Sequence, residues 1–125
     1  MEQKEKLLEK ALKRFERTNP KRITEDQKPG LEPNWYSIRV DGFRLVLTQQ
    51  NYHNQEPKVE KYELEFIYLH KEREIIKFEN DERIKKTYQS VEQKYKMYIK
   101  EKEDKNKEKE KRKFEKSLKR LDRIL

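Results

Sequence analysis

Tyr36-Ser37-Ile38-Arg39-Val40-Asp41-Gly42-Phe43-Arg44-Leu45-Val46-Leu47 is the stretch that decides the fold. Tyr36, Ile38 and Val40 alternate with Ser37 and Arg39, and beyond Asp41-Gly42 the apolar residues Phe43, Leu45 and Leu47 alternate around Arg44. Asp-Gly is a favoured pair for the two-residue type I′ turn, whose central residues both need positive φ. With the turn at Asp41-Gly42, Val40 faces Phe43, Ile38 faces Leu45 and Tyr36 faces Leu47. The six apolar side chains then share one face of a hairpin, and Arg39 and Arg44 project from the other.

Downstream, Tyr62, Leu64, Phe66 and Tyr68 alternate with Glu63 and Glu65 and predict a third strand. His70-Lys71-Glu72-Arg73 is the bend into a fourth strand over about 74–79, which contributes Ile76 and Phe78. Polar residues 49–60, including Pro57, read as a long connection. Two hairpins in succession make a four-stranded antiparallel sheet with one apolar face, and such a face needs a helical cover. Glu63 and Glu65 share the other face with Arg39 and Arg44, as expected of cross-strand charge pairing on a solvated surface.

Helices flank the sheet on both sides in sequence. Over 3–18, Leu8, Ala11, Leu12 and Phe15 fall on one arc at 3.6 residues per turn, with Leu7 at its edge. Lys6, Lys10, Lys13 and Arg17 form a basic stripe opposite, and Glu2, Glu5, Glu9 and Glu16 an acidic one between. Asn19-Pro20 ends this helix, because the residue before proline is biased away from the helical region. Asn80 or Asp81 is a suitable N-cap for the next helix. Ile84, Tyr88, Val91, Tyr95 and Tyr98 recur at 4-3-4-3 spacing and predict the face that covers the sheet, in preference to a base-stacking surface between lysines. From Lys100 to Lys113 no apolar residue occurs; Phe114, Leu118, Leu121 and Leu125 then resume a 4-3-4 stripe. Neither Pro nor Gly follows Pro57, so the preferred reading is one continuous helix to the C-terminus, about 65 Å long at 1.5 Å per residue.

The predicted class is therefore α+β, in the order α-β-β-β-β-α. Its parts are an N-terminal amphipathic helix (1–18), a loop (19–34) rich in Pro and Gly, a core of sheet and covering helix (35–99), and a charged helical extension (100–125).

Charge is segregated along this plan. Residues 1–23 carry eight Lys/Arg against four Asp/Glu, and 91–125 carry fourteen against eight, whereas 24–90 carry eleven against thirteen. The net +8 thus resides in the two helical arms. With 46% charged and 31% hydrophobic residues, the core is small, while seven Tyr, five Phe and one Trp argue against full disorder. No cysteine means no disulfide, thiol nucleophile or Cys-based zinc site. No apolar run approaches the roughly 18 residues of a membrane span, and the polar N-terminus is not a signal peptide, so no membrane partner and a cytoplasmic location are expected. Single-alanine, Lys/Glu/Ile/Asn/Tyr-rich usage follows AT-rich genomes, whose phages and plasmids commonly encode small charged proteins.

Nothing in the motifs calls for an enzyme. His53 and His70 have no partner at ligand spacing, no G-x-S-x-G or Gly-rich phosphate loop occurs, and no cofactor is expected. The candidate contacts with an anionic partner are instead Arg112, Lys113, Lys116, Lys119, Arg120 and Arg123 near the C-terminus, with Lys6, Lys10, Lys13 and Arg17 secondary. A basic amphipathic helix suits nucleic-acid phosphates or an acidic protein surface, and it also describes an ordinary solvated helix. Phe114, Leu118, Leu121 and Leu125 are the expected interface, able to bury themselves in a homodimeric coiled coil. The expected function is non-enzymatic binding or regulation, engaging nucleic acid or a nucleic-acid-handling complex, with weak sequence specificity. The alternatives are a phage-type inhibitor that binds a host enzyme directly, as anti-CRISPR proteins do, and an oligomeric scaffold.

Overall fold

The computed structural model describes residues 2–26, 34–52, 59–71 and 73–125. Helix α1 (Glu2–Arg17) is followed by a short 3₁₀ turn (Pro20–Arg22), five strands and helix α2 (Glu82–Ile124). The strands are β1 (Thr24–Asp26), β2 (Asn34–Val40), β3 (Phe43–Tyr52), β4 (Val59–Tyr68) and β5 (Arg73–Glu79). They form one antiparallel sheet in sequence order, so the class is α+β.

The hairpin register is the one the alternation predicts: Val40 opposite Phe43, Ile38 opposite Leu45, Tyr36 opposite Leu47. Asp41 has φ of 52°, as a type I′ turn demands of its first central residue.

The expected four strands become five. Thr24–Asp26 lies within the segment expected as loop and pairs with Ser37, Tyr36 and Trp35 of β2. Three residues without apolar alternation leave no strand signature; backbone hydrogen bonding to a waiting edge is enough. The expected 49–60 connection is also shorter, because Gln49, Gln50, Asn51 and Tyr52 continue the ladder opposite Tyr62, Lys61, Glu60 and Val59. Gln49, Gln50 and Asn51 offer no apolar alternation, so periodicity gives no strand signal there. Pro29-Gly30, Glu32-Pro33, His53 and Pro57 lie outside the described residues.

The core lies between one sheet face and both helices. Leu8, Ala11, Leu12 and Phe15 of α1 and Ile84, Tyr88 and Val91 of α2 bury against Tyr36, Ile38, Leu45, Leu47, Leu64 and Phe66. The seam is core as far as Tyr95: the Tyr88 ring lies 5.4 Å from Tyr36 and 5.5 Å from Tyr62, and Tyr95 lies 5.5 Å from Tyr36. Tyr98, expected on the same face, lies outside the core, and its ring meets that of Tyr95 at 6.3 Å. On the opposite sheet face Glu63 is only 1% exposed, and its carboxylate meets Lys61 at 3.3 Å and Lys77 at 3.2 Å. That pairing takes over the role expected of Arg39 and Arg44, which the register instead sets opposite each other.

Two polar contacts align the helices side by side. Near their starts, Arg83 reaches Glu5 at 3.0 Å and Glu9 at 3.6 Å. Near the end of α1, the Lys94 ammonium donates to the carbonyls of Phe15, Glu16 and Thr18 at 3.4, 2.8 and 2.9 Å. Those carbonyls belong to a helix C-terminus, where acceptors lack intrahelical donors and the dipole favours a cation. Because 5 lies beside 83 and 16 beside 94, the helices run parallel. Helix α2, N-capped by Asp81 (Oδ1 accepts from Arg83 N–H at 2.9 Å), then continues unbroken beyond the body.

Candidate anion-binding cleft

Parallel packing sorts the charges of α1. Its acidic stripe turns toward α2, where Glu5 and Glu9 meet Arg83. The basic stripe is left on the far side, above the edge of β2. There β1 ends opposite Ser37, so residues 38–40 have no strand neighbour on that side among the described residues. The 3₁₀ turn, held by the Asn19 side chain accepting from Lys21 N–H at 3.0 Å, carries Arg22 to the same place.

These elements enclose a cleft of about 550 Å³ lined by six cations: Lys10, Lys13, Arg14 and Arg17 from α1, Arg22 from the turn and Arg39 from β2. Thr18, Asn19 and Ile38 also line it, and no acidic residue does among the described residues. None of the six makes an ion pair among the described residues. Elsewhere on the body some cations are matched: Arg83 with Asp81 and Glu5, Lys61 and Lys77 with Glu63 and Glu79, Lys94 with carbonyls. Others, such as Arg44 and Lys86, have no ion pair among the described residues but are not gathered into one cleft. Asp81 is held below the usual carboxylate range by its Arg83 hydrogen bond, and Lys77 is raised chiefly by its hydrogen bond to Glu63. Like charges gathered without counter-charge repel and destabilise the compact state. An anion arriving from solution relieves that repulsion, and four guanidinium groups offer forked donors suited to phosphate or carboxylate.

A second basic surface lies on the extension. From Lys100 onward every residue of α2 is exposed. At 100° per residue, Lys109, Arg112, Lys113, Lys116, Lys119, Arg120 and Arg123 occupy an arc of about 120° free of acidic residues. Phe114, Leu118, Leu121 and Leu125 lie opposite and are 64, 49, 51 and 95% exposed. Glu115 and Asp122 flank that stripe on one side, Ser117 and Ile124 on the other.

Lys10, Lys13 and Arg17 of the expected contacts are thus gathered into the cleft; Lys6 lies on the same stripe without lining it. Arg112, Lys113, Lys116, Lys119, Arg120 and Arg123 stay together on the extension, with Arg112 partly engaged by Glu108 at 2.9 Å. Sequence reasoning missed Arg14, Arg22 and Arg39. Arg14 was within reach, since it borders the Lys10–Arg17 stripe; Arg22 and Arg39 join only through the tertiary fold. Among the described residues, no group of three or more His, Cys, Asp or Glu is placed to hold a metal, and no helix is long and apolar enough to cross a membrane.

Comparison of the chain with protein-family models, with curated proteins and with solved structures finds no match.

Proposed function

We propose that this is a binding protein that engages nucleic-acid phosphates through the cleft of α1, Arg22 and Arg39, assisted by the basic arc of α2. The observation that carries the reading is the convergence of six cations from three elements with no carboxylate among them. A solvated helix face needs no such convergence, whereas a polyanion rewards it through counterion release. The extension leaves the body beside the last turn of α1, where Lys94 meets the carbonyls of Phe15, Glu16 and Thr18. Backbone contact of this kind confers affinity and little sequence readout. The exposed stripe Phe114, Leu118, Leu121 and Leu125 serves self-association.

The test is fluorescence anisotropy with duplex DNA, single-stranded DNA and RNA of one sequence. The full chain is compared with Arg14→Glu/Arg22→Glu and with Lys116→Glu/Lys119→Glu/Arg123→Glu. The proposal requires micromolar or tighter binding at moderate salt, with the cleft reversal the more damaging of the two. Equal affinity of the cleft variant and the parent chain would refute it.

A further inference from the structure

Beside the basic cleft, on the side nearer the Asp41-Gly42 turn, lies an apolar groove of about 560 Å³. Leu7 and Ala11 of α1 form one wall, Val40, Phe43 and Phe66 the floor, and Ile75 the far rim. Three of these are large apolar side chains open to solvent: Leu7 at 36%, Phe43 at 38% and Ile75 at 52%. The register shifts at Phe66/Ile67, so that Phe66 pairs with Ile76 and Ile67 with Glu74, leaving Ile75 as the extra residue of a bulge. Bulges re-aim side chains, and this one sets an isoleucine at the rim of the groove. Among the described residues, the only charged ones lining it are Lys10 and Arg14.

The same chain holds a second uncovered apolar surface of matching character, the stripe on α2. It cannot reach its own groove. Phe114 lies nineteen residues beyond Tyr95, the last α2 residue packed on the core, about 28 Å along an unbroken helix. The exposure of the stripe leaves it open to another molecule. A pair of such stripes brings acids together: in an antiparallel pair Glu115 of one copy meets Asp122 of the other, and in a parallel pair Glu110 meets Glu115. Seated in the groove, the same Glu115 and Asp122 edge meets Lys10 and Arg14 instead.

We propose that the groove of one copy receives the Phe114–Leu125 stripe of a second copy, head to tail. This rests on the reading of the stripe as a self-association surface. Lys10 and Arg14 border both groove and cleft, so the test reads mass without nucleic acid and its apolar variants leave the cleft cations in place. Because the two surfaces differ, the contact is heterologous and leaves one groove and one tail free at the ends of any open assembly. The seven-cation arc faces outward in this arrangement, so assembly multiplies the basic surface. Salt screens the net repulsion between basic copies and the Glu115/Asp122 attraction to Lys10/Arg14 alike, so the apolar contact carries association at high salt, whereas nucleic-acid binding falls there.

The test is mass by sedimentation equilibrium for the full chain, for the groove variants Phe43→Glu and Ile75→Glu, and for the tail variant Leu118→Glu. All three sites are exposed, and circular dichroism verifies the fold of each; either groove variant suffices if the other unfolds. The parent chain should grow beyond a dimer with concentration, and each variant alone should be monomeric. A groove variant mixed with the tail variant should form a 1:1 dimer and nothing larger, since the mixture retains one intact groove and one intact tail. Glu115→Lys/Asp122→Lys should weaken association, and Lys10→Glu/Arg14→Glu on the other copy should restore it. A groove variant that associates like the parent chain would show tail–tail pairing and overturn the proposal. So would a parent chain that stays monomeric at about millimolar concentration in high salt.

Discussion

Lys94 offers the most direct test of how the cleft is built. Its ammonium donates to three carbonyls at the end of α1, the turn that carries Arg14 and Arg17. Replacing it with Met keeps the aliphatic stem and removes every donor. Hydrogen bonds from charged groups contribute about 1.5–3 kcal/mol each where they are well buried. Here burial also pulls Lys94 below its ordinary pKa, with Glu16 opposing, so part of the gain offsets desolvation. One contact is long at 3.4 Å. The net loss is then nearer one good charged bond than three, about 2 kcal/mol. For a domain of this size that lowers Tm by about 8 °C, taking roughly 4 °C per kcal/mol. Urea unfolding should show a lower midpoint with an unchanged slope, since the surface exposed on unfolding is the same. A Tm within about 2 °C of the parent would refute the reasoning and mean that water caps α1 equally well. Loosening of the last turn should also weaken oligonucleotide binding, although no cleft residue is altered.

Three further outcomes follow from named contacts. Neutralising Arg14, Arg17 and Arg22 to Gln should reduce the slope of log K against log salt by about 2 for single-stranded nucleic acid, at roughly 0.7 per phosphate contact, with thermal stability unchanged or raised; an unchanged slope would remove these residues from the interface. The Tyr88 hydroxyl is buried with the Glu92 carboxylate as its nearby acceptor but without a well-formed hydrogen bond among the described residues. Tyr88→Phe should therefore be neutral or stabilising by up to about 1 kcal/mol, as read by urea unfolding. Asp81 has a folded pKa below its unfolded value, so its stabilising effect is complete above the ordinary carboxylate pKa and disappears as pH falls through the depressed one. Asp81→Ala should cost about 1 kcal/mol at neutral pH through loss of the cap, and should narrow its deficit in acid; a deficit constant with pH would contradict the pairing with Arg83.

What could be read from the residues depended on whether local chemistry or tertiary proximity carried the information. The Asp41-Gly42 hairpin, the Leu8–Phe15 arc and the Ile84–Tyr95 seam were legible because turn geometry and burial both act through short-range periodicity. Strand β1 was not, since Thr24, Glu25 and Asp26 pair through backbone alone. The continuation of the β3–β4 ladder was hidden because Gln49, Gln50, Asn51, Glu60 and Lys61 carry no apolar alternation. Alternation puts Glu63 on the correct face but does not show its burial between Lys61 and Lys77, which arises from neighbouring side chains across the sheet. For the site, the α1 stripe was visible as a helical repeat. Its sharpening into a cleft needed Arg22 and Arg39, which lie 5 and 22 residues beyond Arg17 and meet it only when α1 packs over the edge of β2. The apolar groove had no signature, because Ile75 belongs to it through a register shift.

The central claim is that the cleft, and not the extension alone, is the primary contact for nucleic acid. It is tested most directly by titrating the ¹⁵N-labelled full chain with a short single-stranded oligonucleotide while following arginine side-chain Nε–Hε resonances, assigned by single substitutions. The account predicts saturable shifts of Arg14, Arg17, Arg22 and Arg39 at the lowest ligand ratios, with Arg112, Arg120 and Arg123 responding later or less. Shifts confined to Arg112, Arg120 and Arg123, with the four cleft resonances unmoved at saturation, would contradict it.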